Sequence, residues 1–141
     1  MATRHLTLRI DEASLERLER ESERTGQNRS ELARQLIEEG LRMARHPGIV
    51  FRDGAAERTA VVRGGPRVWV VARVLREQTG SLDDMVRATA ELMEQPEHLV
   101  RDAALYYVEF REEVDAWLQS LDREAEAAED EWLRNRERVS A

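Results

Sequence analysis

In the stretch His5-Leu6-Thr7-Leu8-Arg9-Ile10, three hydrogen-bonding side chains alternate with three branched apolar ones. On an extended strand, successive side chains point to opposite faces. His5, Thr7 and Arg9 then share one face, and Leu6, Leu8 and Ile10 share the other. The polar set suits the edges of nucleic-acid bases. A guanidinium can span two acceptors of guanine, and a threonine can donate or accept a hydrogen bond or touch a thymine methyl. A strand this short cannot stand alone, because its backbone donors and acceptors would go unpaired. No second strand follows nearby. Two copies of the chain pairing these strands across a two-fold axis would form a ribbon with an apolar underside. Its width fits the major groove of B-DNA. Taken singly, His5 or Thr7 reads as an ordinary solvated residue, so the inference rests on the three together.

Other chemistry is sparse. The three histidines, His5, His46 and His98, fall in three different elements, and the chain has no cysteine. No pair has metal-ligand spacing, and no disulfide or thiolate site is possible. Asp83-Asp84 reads as first-turn helix acids rather than a catalytic pair. There is no phosphate loop, nucleophile elbow or His-activated nucleophile. The expectation is no catalytic residue, no metal, no cofactor and no enzyme activity.

The elements that would position His5, Thr7 and Arg9 follow directly. Asp11 is a good N-cap, with Ile10 and Leu15 placed for a hydrophobic staple. A helix is predicted from Glu12 to about Thr25. It carries a narrow apolar line through Leu15 and Leu18, a charged remainder that includes the Glu16/Arg20 pair, and a left-handed stop at Gly26. Asn28-Arg29-Ser30-Glu31 starts a second helix, with Asn28 as cap and Glu31 as its reciprocal partner. Leu32, Leu36, Ile37 and Leu41 line one side of that helix. It continues to Arg45 despite Gly40 and stops at His46-Pro47-Gly48.

These features together resemble the ribbon-helix-helix DNA-binding proteins, the group of the CopG, Arc and MetJ repressors. The resemblance covers residues 4 to 45. It implies an obligate homodimer with interwound helices and a dimer core of Leu6, Leu8, Ile10, Leu15, Leu18, Leu32, Leu36 and Ile37. It places His5, Thr7 and Arg9 where the family reads bases, with His5 unusual there. It places Asn28, Arg29 and Ser30 where the family grips a phosphate, a position where backbone N–H groups and the helix dipole favour an anion. The competing reading is a module that only dimerises.

Residues 47–110 read as a second unit. Ile49-Val50-Phe51-Arg52 and Thr59-Ala60-Val61-Val62 form a hairpin pattern around Asp53-Gly54. Gly64-Gly65-Pro66 prepares a helix, with Pro66 acceptable at its first position. The run from Val68 to Arg76 has the β-branched content of a strand. Its polar residues Arg73, Arg76 and Glu77 fall on one helical face, so a helix closed by Gly80 is expected. Ser81 caps a further helix through Met85, Val86 and Leu92. Pro96 opens another, running through Val100, Ala103 and Leu105-Tyr106-Tyr107 to Phe110. Trp69 and Tyr106 are expected in the core, and Tyr107, on a different side of its helix, is expected to be exposed. This stretch resembles, more weakly, a small antitoxin-type domain of undefined function, a hairpin followed by a helix-turn-helix-like trio over residues 46 to 108. Members of that group accompany toxins of the PIN-like ribonuclease type. The turn from Leu92 to Pro96 looks longer than the pattern requires.

Residues 111–141 carry Val114, Leu118, Leu121, Ala125, Ala128 and Trp132 at alternating spacings of four and three, a short heptad seam. It must be buried on the chain's own body, on a mate or on another protein. Trp132 with Arg134, Arg136 and Arg138 combines an aromatic anchor with three guanidinium groups. Given the resemblance to antitoxins, these four are the expected toxin contacts, since guanidinium groups could compete for the carboxylates of a toxin's metal centre.

The net charge of −7 runs against nucleic-acid binding, but its distribution is uneven. Residues 1–48 hold nine Arg and nine acids, 49–110 eight and ten, and 111–141 five and ten. All the Lys+Arg residues are Arg, a feature of little weight. No apolar run could span a membrane, no signal segment is visible, and a cytoplasmic location is expected. The whole reads as mostly α with a short N-terminal β-ribbon, plus a small hairpin and a helical C-terminal unit. Three regions are expected, 1–46, 47–110 and 111–141. The expected function is a homodimeric antitoxin that binds its operator in double-stranded DNA, represses its own operon and neutralises a PIN-like ribonuclease toxin. The alternative is a ribbon-helix-helix transcriptional repressor with no toxin partner.

Overall fold

Asp11 sets the first boundary. Its backbone is extended, and its carboxylate accepts a 2.7 Å hydrogen bond from the Ser14 N–H, satisfying a donor that the helix leaves open. In the computed structural model, which describes residues 2–54 and 57–140, helix α1 spans Glu12–Thr25. Gly26 ends it with φ +74°, a left-handed conformation that a Cβ would disfavour. Helix α2 spans Arg29–Arg45, and Asn28 Oδ1 accepts from the Glu31 N–H at 2.8 Å. The chain divides into two compact units, one ending at Arg42 and one beginning at Met43.

Residues 2–10 form no strand in the single chain. The sheet among the described residues lies after α1 and α2, so the N-terminal placement expected of the ribbon is not found here. The physical reason is pairing. A strand needs a neighbour to satisfy its backbone, and the single chain offers this segment none.

The second unit begins with the hairpin β1 (Ile49–Asp53) and β2 (Arg58–Val62), antiparallel with Ile49 opposite Val62 and Phe51 opposite Ala60. Gly54 N–H donates to the Glu57 carbonyl at the tip. Helix α3 (Val68–Arg76) buries Val68, Val71, Ala72 and Leu75, the i, i+3, i+4, i+7 set of one helical stripe. That stripe outweighs the strand preference of its valines. Pro66 is not the first helical residue, however. Arg67 is the cap, and the Pro66 carbonyl accepts from the Val62 N–H at 2.8 Å, tying it to the end of the hairpin. Nor does Gly80 close α3, which ends at Arg76.

Helix α4 (Leu82–Met93) starts in a reciprocal box. Ser81 Oγ accepts from the Asp84 N–H, and Asp84 Oδ2 accepts from the Ser81 N–H, both at 3.2 Å. Helix α5 spans Glu97–Glu109 and helix α6 spans Arg111–Ser140. The core of this unit gathers Ile49, Val62, Val71, Leu75, Val86, Val100 and Tyr106, with Val114 and Leu118 from the start of α6. Trp69 is only partly buried against it. The expectation that Tyr107 is exposed is corrected. It is buried because α6 packs on α5, and its hydroxyl donates to Asp115 Oδ1 at 2.7 Å. Burial, then that hydrogen bond, pushes its phenol above the ordinary value of 10.0.

Candidate nucleic-acid interface

The N-terminal unit presents an apolar groove of about 410 Å³ between residues 8–10, α1 and α2. Leu8, Ile10, Leu18, Ala33, Leu36 and Ile37 line it. Leu6, Leu8 and Ile10 are 70%, 56% and 45% exposed, and Leu36, Ile37 and Leu41 are exposed as well. Of the expected dimer core, Leu32 is fully buried and Leu15 and Leu18 are half-buried within one chain. Leu8, Ile10, Leu18, Leu36 and Ile37, five of the eight positions expected in the dimer core, thus converge on one surface, which a single copy leaves uncovered. An apolar patch of this kind marks a contact face.

The polar face has its own geometry. His5 Nε2 and Thr7 Oγ1 lie 3.0 Å apart, so side chains two residues apart share a side, as in extended backbone. His5, Thr7 and Arg9 are all exposed. The carboxyl of Asp11 is held below its ordinary value of 3.8 by its hydrogen bonds with Ser14, side chain first and backbone second.

At the start of α2, the expected phosphate contacts divide. Asn28 Oδ1 is engaged as the helix cap, and Arg29 Nη1 pairs with Glu19 Oε1 at 3.1 Å, an exposed bridge that costs little to open. Ser30 is exposed. The feature best suited to an anion is therefore the row of first-turn N–H groups at the positive end of α2. The sequence reading did not anticipate the Arg29–Glu19 pair, since the two residues lie on different helices.

Residues 4–42 match the family model described as ribbon-helix-helix protein, copG family. No curated protein and no solved structure matches the chain. The match supports the ribbon-helix-helix resemblance read from strand pattern, caps and Gly turn. The antitoxin-type resemblance of residues 46 to 108 finds no counterpart. The matched segment ends where the first compact unit ends, at residue 42.

The other expected contacts lie elsewhere. Trp132, Arg134, Arg136 and Arg138 are exposed along the end of α6, with the Arg136 guanidinium 5.2 Å from the centre of the Trp132 ring. His46, expected from the sequence as part of a helix stop and without a metal-ligand partner, is buried. Its Nε2 lies 2.6 Å from Glu109 Oε2, and its ring meets Tyr106 and Phe110 edge-on. Among the described residues, no cluster of three or more His, Cys, Asp or Glu could hold a metal ion. Among the described residues, no helix is long and apolar enough to cross a membrane.

Proposed function

We propose that the protein is a homodimeric, DNA-binding transcriptional regulator. In this reading, residues 5–10 of two copies pair as an antiparallel ribbon. His5, Thr7 and Arg9 face base edges in the major groove, and the first turn of α2 from Asn28 to Ser30 rests on a phosphate. The observation that carries the reading is the uncovered groove of Leu8, Ile10, Leu18, Leu36 and Ile37. It lies within the segment that matches the ribbon-helix-helix family. Closing that groove with a second copy would pair the strand backbones and cover the leucines in one step. The acid excess of the remainder does not oppose this, because DNA binding depends on local charge, and Arg4 and Arg9 meet no acid among the first ten residues.

The test is a binding titration against DNA from upstream of the protein's own gene and against random DNA, at several salt concentrations. The proposal expects tighter binding to the upstream DNA and a linear loss of log affinity with log salt. Equal affinity for both, or none, contradicts it.

A second, finer reading makes the regulator an antitoxin whose protein partner is a PIN-like ribonuclease. The exposure of Trp132, Arg134, Arg136 and Arg138 along the last turns of α6 favours it, provided that a second copy does not cover them. Co-expression with the product of the adjacent gene, followed by co-purification and a ribonuclease assay, tests it.

A further inference from the structure

We propose that the distal half of α6 pairs antiparallel with the same segment of a second copy. The seam of α6 begins inside the chain's own core, at Val114 and Leu118, and passes through half-buried Leu121. Beyond that point every residue to Ser140 is exposed, including Trp132 at 58% and Val139 at 88%. The seam itself continues at the same spacing through Ala125, Ala128, Trp132, Asn135 and Val139. A stripe that leaves its own domain at full heptad spacing, apolar at every position but Asn135, needs another helix.

The register identifies that helix. Turning a second α6 end for end about residue 130 sets Leu121 against Val139, Ala125 against Asn135, and Ala128 against Trp132. Each seam residue meets another seam residue, and the largest side chain meets a small one. The flanking charges agree. On one side of the seam stand Asp122, Glu129 and Arg136, and on the other Glu124, Glu131 and Arg138. In the antiparallel pair Asp122 faces Arg136 and Glu124 faces Arg138, each twice by symmetry. The like-charge meetings are Glu129 with Glu129 and Glu131 with Glu131, once each. A parallel pair would instead set Glu124 against Glu129 and Glu131 against Arg136, with no net gain. It would also stack Trp132 on Trp132. Flanking charges of this kind choose orientation in paired helices. The complement to Asp122 and Glu124 is thus the basic end of the same tail, which favours a second copy over a foreign protein. Asp122 also pairs with Arg73 at 2.9 Å and, being exposed, can serve both.

The absence of cysteine permits a direct test in the full chain. The double variant A125C/N135C and its two single variants are oxidised and run on a non-reducing gel. The two positions are ten residues apart, about 15 Å along one helix, so no bridge can form within a chain. The antiparallel pair predicts a linked dimer for the double variant and none for either single variant. Linkage in the single variants would mean a parallel pair and overturn the proposal. No linkage in any variant would also overturn it and leave the tail to a different protein. Adding E124R or R138E to the double variant should each lower the yield roughly two- to five-fold, with recovery when both are present. Loss without recovery would contradict the register.

Discussion

His46 Nε2 lies 2.6 Å from Glu109 Oε2, across 63 positions of sequence, and Arg45 Nε reaches the same carboxylate oxygen at 2.9 Å. The imidazole is buried and packs edge-on against Tyr106 and Phe110. One residue past α2, it seats the beginning of the second unit on the end of α5. His46→Ala would empty a packed site and remove one partner of Glu109. We expect a loss of about 2–3 kcal/mol in the stability of residues 43–141, measured by denaturant unfolding. An unchanged midpoint would mean that the pair is incidental.

Thr89 is fully buried, and among the described residues its hydroxyl has no hydrogen-bond partner. Thr89→Val keeps the shape and removes the unmatched polar atom. The variant should be more stable by about 1 kcal/mol. Thermal unfolding checks the sign, and a lower midpoint would mean that the hydroxyl has a partner in solution.

The two helix caps give the fold an acid limit. The Asp84 carboxyl is held below its ordinary 3.8 by hydrogen bonding to Ser81, side chain first, as the Asp11 carboxyl is by Ser14. A lowered carboxyl stabilises the fold fully above its unfolded value and stops doing so as pH falls through the folded one. Stability should therefore decline below about pH 4, and Asp84→Asn should flatten part of that slope. Tyr107 has the opposite sign. Its phenol is raised above 10.0, so its contribution is full below that value and is lost as pH rises through the folded one. Tyr107→Phe should reduce the alkaline decline, as melting curves across pH would register.

Arg9→Ala should weaken binding to the upstream DNA by about 1–3 kcal/mol, relax discrimination at one base pair, and leave the dimer folded. An equal loss on random DNA would reassign Arg9 to a phosphate. Competition titrations against single-base variants of the site distinguish these outcomes.

The parts of this fold that were readable in the sequence are those decided by local chemistry. Asp11, Gly26, Asn28 and Ser81 each act through hydrogen bonds or backbone preference within a few residues. The bounds of α1 and α2 and the start of α4 follow from them. For α3 the shared helical face of Arg73, Arg76 and Glu77 decided helix over strand, and the buried stripe of Val68, Val71, Ala72 and Leu75 is its reverse side. Burial of Tyr107 was not readable, because it depends on α6 folding back over a side of α5 that looks open in the sequence. His46 and Glu109 find each other only through tertiary packing. The groove of Leu8, Leu36 and Ile37 was legible as an apolar pattern. Its cover by a second copy was inferred from the lone strand and the family resemblance, because the leucines alone do not say which chain supplies the other half.

On the proposed reading, residues 5–10, irregular in one chain, become a paired strand in two. Amide hydrogen exchange across these residues, with sedimentation equilibrium on the same sample, tests it most directly. The expected result is a dimer in which alternate amides of residues 5–10 are protected, and Leu8→Asp should abolish both dimer and protection, since a carboxylate beneath the ribbon would be buried unpaired. A folded Leu8→Asp dimer, or a wild-type dimer whose residues 5–10 exchange freely, would contradict it.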